Sequence, residues 1–191
     1  YCQALLAEAG LSMQQLDGVA LSIGPGAFTG VRIGCGIAQG IAFALDIPLL
    51  PCNSLLAMAE THAQQHGGTE VIAMLDARMQ QIYYAHYQAD ASALTGWRAV
   101  TAPCLLDATP EALPAIDTPI AITGTALSAY PNLQAASPQG GKSPIVYPHA
   151  IGVAHVGARL FAAGQGIAPE HIELLYLRDK VAQTTAERHA K

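Results

Sequence analysis

The sequence predicts an α/β chain folded as two small lobes. Short apolar runs at residues 19–23, 71–75 and 119–123 have the length and β-branched content of buried strands. Longer segments at residues 31–45, 55–66 and 150–163 have the length and apolar spacing of helices. The two kinds are mixed along the chain without a repeat period. They fall into two groups, residues 1–67 and 68–191.

Composition narrows the function. The chain has 191 residues, 51% of them hydrophobic and 12% charged, which excludes a disordered protein. The net charge is −5 and no Lys/Arg run occurs. That excludes a protein gripping nucleic acid through its own basic patch, so any such role runs through a partner. Cys2, Cys35, Cys52 and Cys104 form no CxxC pair. The spacing argues against a zinc site or disulfide framework and for reduced, mostly buried thiols in a cytoplasmic protein. No signal peptide is visible. The longest apolar stretch, residues 33–45, is interrupted by Gln39 and falls short of the roughly 20 residues a membrane span needs.

In chain order, residues 1–9 read as a helix already under way, stopped at Gly10. No N-cap precedes it, so further residues are expected before Tyr1. The strand at 19–23 runs into Gly24-Pro25-Gly26-Ala27-Phe28-Thr29-Gly30, and a helix over 31–45 follows, with Thr29 as candidate N-cap. Asp46-Ile47-Pro48 ends it. Asn53 or Ser54 can cap the helix at 55–66, which ends at Gly67-Gly68. Strands at 71–75 and 81–87 predict a hairpin with its turn at Asp76-Ala77-Arg78-Met79. Residues 88–118 read as a looser stretch of short strands, and 131–148 as loop. The helix at 150–163 places Ile151, Ala154, Ala158 and Phe161 on one apolar side.

The glycine-rich segment is the most informative. Glycines permit a tight turn and close backbone approach, and a helix start offers free N–H groups. Gly24, Gly26, Thr29, Gly30 and Arg32 therefore form a candidate anion loop. The same residues also fit a plain turn that seats the helix on a sheet. No Gly-Lys-[Ser/Thr] follows, and the spacing differs from the dinucleotide fingerprint. In the helix, Gly30, Gly34, Ala38 and Ala42 form one small-residue row, and Gly36, Gly40 and Ala44 a second. Each interior glycine costs about 0.5–1 kcal/mol relative to alanine, so a close neighbour is expected to offset them. One row can face the sheet. The other predicts contact with the preceding helix or another subunit, with Leu5, Gly30, Gly34, Ile37, Ala38, Ile41 and Leu45 as candidate partner-binding residues.

No catalytic set emerges. His62 and His66 share a helix face, yet a third metal ligand is lacking, and His66 suits the helix C-terminus. Asp76 with Arg78 reads as a turn-stabilising ion pair. No catalytic residue, metal or cofactor is expected.

The glycine-rich segment resembles the GPGSFTG-type motif of the TsaB (YeaZ) family, with Ala27 where serine is common. The likeness continues through Pro51-Cys52-Asn53-Ser54-Leu55, the hairpin carrying Asp76-Ala77-Arg78 with Ile82-Tyr83, Thr123-Gly124-Thr125, and Tyr176-Leu177-Arg178 with Val181-Ala182. The resemblance implies the actin/Hsp70/sugar-kinase (ASKHA) two-lobed fold, lacking the first hairpin of its amino-terminal lobe, so that a sheet edge is exposed. It also implies a heterodimer with TsaD. That complex, assisted by the ATPase TsaE, transfers a threonylcarbamoyl group to the adenosine beside the tRNA anticodon, and TsaD supplies the metal and the chemistry. The chain would be the non-catalytic partner, touching tRNA only indirectly and pairing as a homodimer when isolated. The competing expectation is a glycoprotease-like metallopeptidase or nucleotide-dependent transferase of the same fold.

Overall fold

The computed structural model describes residues 1–116, 119–136 and 147–178. Val181, Ala182 and the 137–146 part of the expected loop lie outside the described residues. Two sheets organise the chain. In the first, β1 (Val19–Ser22) and β2 (Leu49–Cys52) pair in parallel, with Val19 opposite Leu49 and Ser22 opposite Cys52. The helix α2 (Phe28–Leu45) connects them. In the second, β3 (Glu70–Arg78), β4 (Gln81–Ala89) and β5 (Trp97–Asp107) form an antiparallel meander. β6 (Ala121–Thr123) runs parallel to β3 on its other side.

Besides α2, the chain forms two short helices, α1 (Cys2–Glu8) and α4 (Ala126–Ala129), and two longer ones, α3 (Ser54–His66) and α5 (Ala150–Ala162). Asn53, not Ser54, caps α3: its Oδ1 accepts from the Leu56 N–H at 2.8 Å and from the Tyr87 hydroxyl at 3.0 Å. Asn53→Ala is expected to lose about 1–2 kcal/mol, cap and stranded tyrosine hydroxyl together, read as a lowered thermal midpoint. An unchanged midpoint would refute the capping role. Every residue of α3 from Ser54 to His62 is buried. β3 and β4 cover one side and α5 another, so the helix needs no polar face.

Several expectations need correction. α2 begins at Phe28 with extended Ala27 in the cap position, so Thr29 sits inside the first turn and caps nothing. β3 continues through the expected turn to Arg78, and the chain reverses at Met79-Gln80. Arg78, Met79 and Gln80 all take positive φ (62°, 56° and 58°) without a glycine among them, which left no turn signal to read. The stretch expected to be loose contains the eleven-residue β5. This is an edge strand containing Pro103, irregular in register against β4, so its alternation is weak.

The buried face of α5 is not the apolar side named from the sequence. Gly152, Val153, Val156 and Gly157 are buried, while Ile151, Ala154, Ala158 and Phe161 point outward. Glycine decides this face because it allows contact closer than a side chain permits. A Cβ on Gly152 would stand 2.1 Å from the Ala57 carbonyl oxygen of α3, and one on Gly157 would stand 2.4 Å from the Ala20 Cβ of β1. α5, late in the chain, thus packs on the first sheet, and α3 packs on the second.

Candidate functional site

The outer flank of α2 is the most unusual surface. Cys35, Ala38 and Ala42 turn inward onto Leu21 and Leu49. The opposite side exposes Ile33, Ile37 and Phe43, the last at 76%. Between them, Gly34, Gly36 and Gly40 look into open space: a Cβ on any of them would meet nothing within 4 Å. The helix glycines are therefore not offset by any contact within the described chain.

Of the candidate partner residues, Leu5, Gly30, Gly34 and Ile37 are exposed, and Ile41 and Leu45 are half-buried. Ala38 is the exception. It lies 5% exposed against the sheet, because the row of small residues twists from the outer flank to the inner one along the helix. Leu5 and Ile41 line one groove of about 850 Å³ that has β1 as its floor and α1, α2 and α5 around it. Ala154, Ala158 and Phe161 complete its wall, which is where the outward stripe of α5 goes. The N–H groups of Val19 and Ile23 donate to the carbonyls of Pro48, just before β2, and Cys52, its last residue. Strand geometry turns Ala20 and Ser22 toward the other edge, where no strand pairs among the described residues.

α2 has eighteen residues and one charge, Arg32. By length and composition it is long and apolar enough to cross a membrane. The thirteen-residue stretch at 33–45 understated it because the helix starts five residues earlier.

In the glycine-rich loop, the Gly24-Pro25 peptide is cis and the Gly24 carbonyl accepts from the Ser54 N–H at 2.8 Å. Arg32 is already engaged: its Nε donates to the Tyr176 hydroxyl at 2.8 Å, and its guanidinium lies 3.8 Å over the Phe28 ring. Asp76 and Arg78 form the expected ion pair at 2.9 Å. Asp76 Oδ1 also accepts from the Arg78 N–H and the Tyr130 hydroxyl. The His62 and His66 rings lie 5.1 Å apart between centres, tilted by 54°. No group of three or more His, Cys, Asp or Glu converges among the described residues. All four cysteines are free. Cys35 and Cys52 are buried, but Cys2 is exposed and Cys104 half-buried, so "mostly buried" holds for only two of them. Burial, with the Glu60 charge nearby, pushes the Cys52 thiol up to about 12.

A cluster around Glu60 had no sequence signal, because Trp97 and Arg159 lie far from it in the chain. Glu60 is 1% exposed. Its carboxylate accepts from Arg159 Nη1 and Nη2, both at 2.8 Å, from Trp97 Nε1 at 2.7 Å and from Gln64 Nε2 at 2.9 Å. Burial raises its pKa, but these hydrogen bonds outweigh burial and bring it down to about 2. The cluster ties α3, β5 and α5 together inside the molecule, with no lining residue in the groove.

Comparison with known proteins defines the class. A family model described as TsaD, tRNA N6-adenosine threonylcarbamoyltransferase, matches residues 1–146. The structure resembles a crystal structure of a Pseudomonas aeruginosa protein described as similar to peptidase YEAZ, with a TM-score of 0.82 and 31% identity over 93% of this chain and 81% of the other. YeaZ from the same organism gives a TM-score of 0.78 at 31% identity, over 92% and 81%. The chain is thus an ASKHA-fold protein of the threonylcarbamoyladenosine group.

The particular family follows from curated relatives. The chain is 33% identical to the tRNA threonylcarbamoyladenosine biosynthesis protein TsaB of Escherichia coli, over 94% of its own length and 78% of the relative's. It is likewise 33% identical to the Haemophilus influenzae protein of that name, over 93% and 76%. The chain belongs to the TsaB (YeaZ) family.

Proposed function

We propose that the chain is a non-catalytic partner subunit that binds TsaD and activates it for threonylcarbamoyl transfer to the adenosine beside the tRNA anticodon. One observation carries the proposal: Gly34, Gly36 and Gly40 of α2 leave bare backbone on an exposed, apolar flank, without a neighbour in the described chain. A helix pays for such glycines only where another helix closes on them. Leu5, Gly30, Gly34, Ile37 and Ile41 form the contact, with Leu45 at its margin and Ala38 beneath it. A protein partner suits α2 better than a lipid one, because Cys35, Ala38 and Ala42 are already packed against the first sheet.

With a net charge of −5 and no basic run, the chain leaves tRNA to TsaD. The family resemblance adds TsaE, met through the complex. Isolated, it pairs with its own copy through the same flank, in the cytoplasm and without a cofactor. The loop of Gly24, Gly26, Thr29, Gly30 and Arg32 is a secondary candidate for an anion.

The test uses opposite signs. In the isolated chain diluted until it is monomeric, Gly36→Ala and Gly40→Ala should each raise stability by about 0.5–1 kcal/mol, seen in denaturant titration. Gly34→Leu should leave the isolated fold intact, yet sharply lower co-purification with TsaD and modified tRNA in a reconstituted reaction. Full binding and activation by Gly34→Leu would refute this docking surface.

A further inference from the structure

The segment at residues 165–178 runs across both halves of the molecule. Ile167 exchanges two 2.9 Å backbone hydrogen bonds with Leu49, and Ile172 and Leu174 pack on the core beneath α2. Gln39 Nε2 donates to the Pro169 carbonyl at 2.9 Å, and the Leu175 N–H donates to the Ile23 carbonyl at 2.9 Å. Tyr176 then receives the Arg32 hydrogen bond and packs beside Phe28, 6.1 Å between ring centroids. To this point the segment belongs to the first sheet.

Two residues later it changes sides. Arg178 Nη2 donates to the Ala77 carbonyl at 2.9 Å, the Arg78 carbonyl at 3.2 Å and Gln81 Oε1 at 2.8 Å. Its Nη1 lies 3.2 Å from Met79 Sδ. The grip therefore closes around the strained β3–β4 turn. Between that turn and the glycine-rich loop lies a cleft of about 520 Å³. Gly26, Gly30 and Ser54 stand on one wall and Asp76, Arg78 and Thr125 on the other. Tyr176 holds the first wall and Arg178 the second.

We propose that Tyr176 and Arg178 form a latch that sets the width of this cleft, and that releasing Arg178 lets the walls part. The closed latch is not fully satisfied, since the buried Arg178 Nε has no hydrogen-bond partner among the described residues. An orphaned donor weakens the closed state and makes release affordable. Tyr176 and Arg178, two positions apart on one strap, reach opposite walls.

Spin labels at Ile33→Cys on α2 and Glu111→Cys beside the second sheet, with Cys2 and Cys104 changed to Ser, report the cleft in the full chain. Arg178→Ala should shift their distance distribution to longer values and broaden it. It should also speed exchange of the Leu175 amide about tenfold. Tyr176→Phe, which keeps the ring but loses the Arg32 hydrogen bond, should produce a smaller shift. Arg178→Lys retains the charge without the three-acceptor fork and should also open the cleft. It serves as the reading if circular dichroism shows that Arg178→Ala does not fold. A wild-type distribution in the folded arginine variants would overturn the latch.

Discussion

Gly152→Ala is expected to destabilise the chain by about 2 kcal/mol net. A Cβ there would meet the Ala57 carbonyl oxygen at 2.1 Å and Thr61 Oγ1 at 2.4 Å. Thr61 Oγ1 already donates to that same carbonyl at 2.7 Å, so the new methyl also breaks this hydrogen bond. Overpacking of this kind costs about 3 kcal/mol, against about 1 kcal/mol gained in helix propensity. For a chain of this size the thermal midpoint should fall by roughly 4–8 °C. Gly40→Ala makes the same chemical change in α2 and should raise the midpoint. Equal responses at the two positions would show that the α3–α5 approach is looser than 2.1 Å implies.

Arg159→Met should cost about 3–5 kcal/mol, because it removes the bidentate partner from a carboxylate that stays buried. Glu60 has a folded pKa near 2 against an ordinary value of 4.5. A lowered pKa contributes stability above the ordinary value, and that contribution is lost as pH falls from about 4.5 toward 2. In the variant the lowering by Arg159 is gone, burial is opposed only by the Trp97 and Gln64 hydrogen bonds, and the pKa rises. The stability gap between wild type and Arg159→Met should therefore be widest near neutral pH and shrink steadily in acid. Thermal midpoints at pH 7, 5 and 3 measure it. A gap independent of pH would mean that Glu60 does not carry the charge assigned to it.

The fold was legible where local rules hold. The strand at Val19–Ser22, the Asn53 cap and the glycine stop after His66 each rest on residues adjacent in sequence. The Asp76–Arg78 ion pair was legible for the same reason. What escaped depended on partners distant in the chain. The stripe of Ile151, Ala154, Ala158 and Phe161 was read as the apolar side of its helix, yet it is not the buried one. Close approach instead selects Gly152 against α3 and Gly157 against β1. Nothing local marks Glu60, whose Arg159 and Trp97 partners come from α5 and β5. The small-residue helix was legible in composition, but not in orientation. Only the structure separates Ala38 and Ala42, packed inward, from Gly34, Gly36 and Gly40, which face outward.

The packing of α5 on β1 bears on how the chain is made. β1, α2 and β2 leave the ribosome together. The helix that covers them, and Ile167 that bonds Leu49, follow roughly a hundred residues later, about 5–20 s at ordinary synthesis rates. During that interval the nascent two-stranded sheet holds its apolar face unprotected. Elongation speed through the second half of the message thus sets how long the first half waits, and slow codons there would prolong that exposure.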